Sequence, residues 1–131
     1  MKTIFGTINM KEFIYIFLGG GLGSVFRYAL HLLINGRGIV SGFPWSTFTV
    51  NILGSFLIGL FYALSTRLNI THETRLFLTV GLCGGFTTFS TFSNECLHLL
   101  RTGLYGTFAS YIILSIIIGI LAVLAGAWLA K

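Results

Sequence analysis

Aspartate is absent from this 131-residue chain, and charge of any kind is scarce: three acidic residues and eight Lys or Arg make up 8% of the sequence. A soluble domain carries about 25% charged residues, so no sizeable soluble domain is expected. With 55% hydrophobic residues in long uncharged runs, the chain reads as a single-domain, all-α integral membrane protein. The net charge of +5 invites a nucleic-acid partner. The basic residues, however, are scattered at segment ends and form no basic run, which argues against one. Nothing at the start has the pattern of a cleavable signal peptide. The two cysteines, Cys83 and Cys96, would lie about 20 Å apart on a helix. Free buried thiols are therefore expected, and no CxxC or Cys/His spacing suggests a metal. No nucleophile–base pair occurs, which sets enzymes aside.

Hydrophobic runs predict four spans over about 13–34, 45–64, 75–100 and 105–129, within a domain 12–131 preceded by a tail 1–11 that is assigned no role. In the first span, Gly19 and Gly23 form a small-xxx-small pair that admits another helix. Arg27 follows, with Tyr28 and His31. It reads either as a snorkelling side chain or as a fixed charge at the mouth of an anion path. Asn35-Gly36-Arg37-Gly38 makes a loop. The single proline, Pro44, suits the first turn of the second span, and Trp45 suits a membrane interface. Thr47, Asn51 and Ser55 recur at every fourth position and form one polar stripe. The stripe favours a pore or ligand face, although an Asn can equally serve a helix–helix hydrogen bond. Between the spans, Thr71 and Thr74 are capping candidates.

The third span holds the stretch Gly81-Leu82-Cys83-Gly84-Gly85-Phe86-Thr87-Thr88-Phe89-Ser90-Thr91-Phe92-Ser93-Asn94. A plain membrane helix has no need of that mixture. At about 26 residues, against the ~20 needed to cross, the span is expected to be tilted or broken near Gly84–Thr88. Gly84 and Gly85 are the expected point of departure from helical geometry. A break in lipid is tolerated only where it is buried in protein or lines a water-filled cavity, so the break is expected to be a site. Phe86, Phe89 and Phe92 share a three-residue spacing beside Thr87 and Thr91, with Glu95 and His98 beyond. In the fourth span, Tyr111 and Ser115 lie on one face with Gly119. Local bonding to helix carbonyls is the alternative for their hydroxyls. Ala122 and Gly126 give a second close-packing pair.

With both termini on one side, that side holds Lys2, Lys11, Arg67, Arg75 and Lys131, and the other holds Arg37 and Arg101. The bias mildly prefers cytoplasmic termini. Glu95 is the one carboxylate well inside a span, where a cation or proton path usually shows such a group. The spans offer donors instead: Arg27, Thr47, Asn51, Ser55, Ser90, Thr91, Tyr111 and Ser115. A Phe ring carries the positive end of its quadrupole at its edge. Donors, positive edges and a nearby Arg make a surface for a small hydrated anion, while carbonyls freed at a helix break could hold a cation.

Three motifs then carry a resemblance. They are Gly19-Gly20-Gly21-x-Gly23-x-x-x-Arg27-Tyr28; Thr47-x-Thr49-x-Asn51-x-x-Gly54-Ser55-Phe56-x-x-Gly59; and Gly81-x-Cys83-Gly84-Gly85-Phe86-Thr87-Thr88-Phe89-Ser90-Thr91-Phe92. From about residue 12 to its end the chain resembles the Fluc (CrcB) fluoride-channel family, the third motif being the most specific. The resemblance implies an antiparallel, dual-topology homodimer in a prokaryotic inner or plasma membrane, exporting fluoride passively through two pores. It implies a structural Na⁺ at the dimer centre, held by the backbone carbonyls of Gly84 and Thr87. It places Phe89, Phe92, Asn51, Ser90, Thr91, Tyr111 and Ser115 along the pore and Arg27 at its vestibule. Thr47 joins the pore set by its place on the Asn51 stripe. Two other classes stand beside this reading. One is a proton-coupled exporter like the small multidrug resistance transporters, which need an acidic residue midway along the first helix, whereas Glu12 sits at its start. The other is a non-transporting assembly subunit held by glycine faces.

Overall fold

A computed structural model describes residues 2–3, 6–7, 9–35 and 42–131. The expected loop residues Gly36, Arg37 and Gly38 lie outside the described residues. Four runs among those described are long and apolar enough to cross a membrane. They are α1 (Met10–Asn35), α2 (Trp45–Arg67), a composite run His72–Arg101, and α6 (Tyr105–Leu129). The composite run comprises α3 (His72–Leu76), a π-helical stretch Phe77–Cys83, α4 (Gly84–Phe86) and α5 (Phe89–Arg101). Ahead of α1, two-residue strands β1 (Lys2–Thr3) and β2 (Gly6–Thr7) pair antiparallel, Lys2 opposite Thr7. Every other regular element described is helical.

Sequence chemistry sets the element ends. Thr71 caps α3 by accepting from the Thr74 amide at 3.2 Å. Pro44 precedes α2 and its carbonyl accepts from Phe48 at 3.1 Å. It stands just outside the first helical turn. At the far end of α5, Gly103 takes a φ of +78° and Leu104 N–H closes back on the Leu99 carbonyl at 3.0 Å. Glycine holds that left-handed turn without steric cost.

The helices dock where glycine removes the side chain. A Cβ on Gly59 would strike the Val123 carbonyl, and one on Gly126 the Phe56 carbonyl, so α2 and α6 meet backbone to backbone. On the other side, Cβ atoms on Gly19 and Gly23 would strike the carbonyls of Phe77 and Leu82, and one on Gly85 that of Gly20. The Gly19/Gly23 face is thus taken by the chain's own third span. Lipid gives helices no hydrophobic reason to associate, so such close approach is what holds them together. A small core gathers Tyr111, Cys96 and Leu99 under Phe43, Phe48 and Phe92. Both cysteines are free and buried.

The third span departs from helical geometry later than the glycines suggest. Gly84 keeps helical angles (φ −63°, ψ −38°), and Gly85 lies inside α4. The extended residues are Thr87 (φ −84°, ψ 157°) and Thr88 (φ −149°, ψ 118°). Glycine permits a break without requiring one, and here Gly85 serves close packing against Gly20. β-Branched residues adopt extended backbone readily, and the two threonine hydroxyls bind the helix ends on either side.

Candidate functional site

The break is held by Asn51 from α2. Its amide nitrogen donates to the Thr88 carbonyl at 3.1 Å and its amide oxygen accepts from the Thr88 N–H at 2.8 Å. One side chain thereby satisfies both backbone groups of the most extended residue, as burial in lipid demands. Thr87 turns back, its hydroxyl donating to the Cys83 carbonyl at 2.9 Å. Thr88 caps α5 by accepting from the Thr91 amide at 3.2 Å. In a continued helix the Thr88 N–H would point at the Gly84 carbonyl; given to Asn51, it leaves Gly84 without that partner. The Gly85 carbonyl accepts from Arg27 Nε at 3.1 Å. Arg27 is therefore tied to the break rather than snorkelling.

The polar stripe on α2 makes three different bonds. Thr47, buried, donates to the Glu95 carboxylate. Asn51 grips the break. Ser55 donates to the Asn51 carbonyl of its own helix at 2.7 Å. Asn51 retains one amide hydrogen beyond these contacts.

Two regions gather the expected site residues. A cavity of about 330 Å³ is lined by Asn51, Ser55, Gly84, Thr87, Thr88 and Phe89. On the other side of the break, a cavity of about 340 Å³ takes in Arg27, Thr47, Thr88 and Thr91, with Tyr28 and His31. Phe89 stands 79% exposed at the first position of α5. Its ring centroid is 5.9 Å from that of Phe92, which is 4.8 Å from Tyr111. The Tyr111 hydroxyl, on a fully buried residue beside Thr47, and the Ser115 hydroxyl make no hydrogen bond of ordinary geometry. Neither uses the local helix carbonyl that its position would allow. Ser90 is exposed and approaches only the Thr88 hydroxyl, at 3.4 Å; Ser90, Phe92, Tyr111 and Ser115 line neither cavity. Of the evenly spaced Phe residues, Phe86 is buried while Phe89 is not, because the break between them changes the helical phase.

Thr88 and Glu95 emerge as structural partners that spacing alone does not single out. Thr88 followed three residues on by Thr91 is a capping pattern. The Thr47–Glu95 link spans distant segments and has no local sequence signal.

The sequence that builds this geometry matches a known family. The family described as "CrcB-like protein, Camphor Resistance (CrcB)" matches residues 14–127. The chain belongs to that family. Relatives in it are close: a protein of Bacteroides fragilis named "Fluoride-specific ion channel FluC" is 57% identical over 124 residues, 93% of this chain and 98% of its own length. One of the same name from Phocaeicola vulgatus is 57% identical over 122 residues, covering 93% of this chain and all of its own. A third, from Thermus thermophilus, is 47% identical over 117 residues, 89% of this chain and 93% of its own. With its bacterial relatives and its four spanning helices, the chain is a multi-pass membrane protein of prokaryotic type. Its relatives bear the name of a channel, not of an enzyme.

Proposed function

We propose that the chain is a fluoride-selective channel that lets fluoride leave the cytoplasm down its gradient, across the inner or plasma membrane. The observation that carries this is the 57% identity, over almost the whole of both chains, to proteins named as fluoride-specific ion channels. The geometry supports it. A dehydrating anion needs donors that are not already used. The Tyr111 and Ser115 hydroxyls are buried and make no hydrogen bond of ordinary geometry, and Asn51 has an amide hydrogen to spare. Phe89 and Phe92 flank this region and can turn positive ring edges toward an anion. Arg27, anchored on Gly85, sets a positive charge beside the break, which raises the local anion concentration. Thr47, Ser90 and Thr91 complete the proposed track, with Thr47 occupying a Glu95 oxygen that would otherwise face the path.

The same reading makes the functional unit an antiparallel, dual-topology homodimer in lipid, with two pores. Phe89 is exposed in a single chain, as a ring that completes its surroundings from a second copy would be. It further assigns a structural Na⁺ to the carbonyls of Gly84 and Thr87. The donor set fits: neutral oxygens at a helix break suit a hard monovalent cation, and no cluster of three or more His, Cys, Asp or Glu among the described residues would favour a transition metal. When bound, the ion would supply a fixed positive charge at the centre of the dimer. Gly84 and Thr87 would hold it, and Asn51 keeps their peptide planes in place through Thr88. The exporter alternative finds no support, because Glu12 lies in the first turn of α1 and pairs with His72 at 3.4 Å.

The deciding measurement is fluoride efflux from liposomes carrying the purified protein. Fluoride should leave fast and chloride should not; equal rates for the two ions, or none above protein-free vesicles, overturn the reading. A reporter fused to the C-terminus should give signal on both sides of the membrane. Signal on one side alone overturns the antiparallel assembly.

A further inference from the structure

Ser24, Tyr28, His31 and Asn35 recur on α1 at helical spacing. They make a second polar stripe, on the face that also presents Arg27 to the cavity beside the break. Beyond that cavity lies a larger one of about 500 Å³ toward the end of the span, lined by His31, Asn35, Ser46, Glu95 and His98 among others. His31, Ser46, Thr47 and Thr91 line both, so the two spaces adjoin at these four residues. His31 sits at that junction as the only one of the four able to carry charge. Its Nδ1 is 3.1 Å from the Ser46 hydroxyl on α2, and the Asn35 amide nitrogen lies 3.2 Å from the same atom and 3.3 Å from Nε2, where an arriving anion would displace it. Tyr28 stacks on it with centroids 6.3 Å apart and planes at 19°. The ring is thus fixed from two helices at the point where the wide cavity meets the one holding Arg27.

We propose that His31 is an anion-binding residue at the mouth of the path, taking a hydrated anion from the wide cavity and passing it to the space beside Arg27. This rests on the channel reading given above. A neutral imidazole offers one N–H, and a protonated one offers two together with a positive charge. The charged or titratable groups facing it are Arg27 and Tyr28 on α1 and Glu95 and His98 on α5; Ser46 and Thr47 on α2 are neutral. One Glu95 oxygen accepts from Thr47, and no hydrogen bond or ion pair joins Glu95 to His31 among the described residues. A protonated ring adds a second N–H and a positive charge at the junction, so the protonated site holds fluoride more tightly.

The test is fluoride efflux from liposomes over a series of fluoride concentrations, at about pH 8 and about pH 5.5, either side of the range in which histidine changes charge. Protein-free vesicles set the baseline for hydrogen fluoride crossing the bilayer. For H31A the fluoride concentration giving half-maximal flux should rise about tenfold, the scale of one hydrogen bond to a charged ligand, with the maximal flux little changed. H31Q keeps a donor and should recover most of the low-concentration flux without the gain at low pH. H98A should keep that gain. Equal concentration dependence and equal pH response in wild type, H31A and H31Q overturn the inference while wild-type efflux stands. Loss of the gain in H98A and not in H31A also overturns it. Absence of wild-type efflux overturns the channel reading itself. Gel filtration of each variant separates a binding defect from misfolding.

Discussion

The two halves of the third span are built on opposite terms. Before the break, residues 77–86 run without a capping side chain at either helical junction and press glycine backbone onto α1. After it, α5 starts under a threonine cap, buries Cys96 and Leu99, and presents Phe89, Ser90, Ser93 and Asn94 outward. The first half is fixed by the absence of side chains, and the second works through the side chains it displays. Thr87 and Thr88 separate these roles, so the fixed half can be packed to van der Waals contact without dictating where the rings of the other half point.

The sharpest way to break this comparison is on the packed side. Gly85→Leu places its side chain against the Gly20 carbonyl, backbone that cannot yield, and should cost about 3 kcal/mol or more. Gel filtration should show loss of the monodisperse species, and a well-folded variant would refute the close-packing account. Next in size is Asn51→Ala. It strands the Thr88 N–H and carbonyl together, at about 1–3 kcal/mol for each group that stays dry. The melting temperature in detergent should fall clearly and fluoride efflux should be lost; an unchanged melt would mean that water replaces the amide. Thr88→Ala removes the cap of α5, worth about 1 kcal/mol, and the hydroxyl's contacts to Ser90 and Thr91, and should lower the melting temperature by a smaller step than Asn51→Ala. Smallest in its effect on the stability of the single chain is Phe89→Ile, within about 0.5 kcal/mol, because the ring packs on little of its own chain. Yet it should reduce fluoride efflux more than tenfold. Efflux at the wild-type rate would remove Phe89 from the path.

How much of this could be read from sequence differs from one part to the next. The spans follow from hydrophobic runs bounded by Pro44, Trp45 and Thr71, because those end signals act within a few residues. The sequence points to a break at Gly84–Thr88 and to glycine as its cause, whereas Thr87 and Thr88 take the extended geometry. Composition shows what a backbone can do, while the packing of Gly85 on Gly20 decides what it does. The stripe Thr47–Asn51–Ser55 was visible as a face, whereas its partners were not. Thr88 is 37 residues from Asn51, and Glu95 is 48 from Thr47, and no local pattern spans that distance. Phe86 and Phe89 look equivalent by spacing and differ in exposure, since helical phase does not carry across two extended residues. The α1 stripe through His31 is masked in the sequence by the large apolar residues that interleave with it.

The Arg27 bond to the Gly85 carbonyl has a consequence in time. Its two ends are 58 residues apart in the chain. At a synthesis rate of about 5–20 residues per second, Arg27 waits about 3–12 s for its acceptor to be made. Through that interval its guanidinium must lean on water or headgroups at the membrane face. The earliest made of these four spans is in this respect the last to settle, and the arrival of the third draws its charge into place.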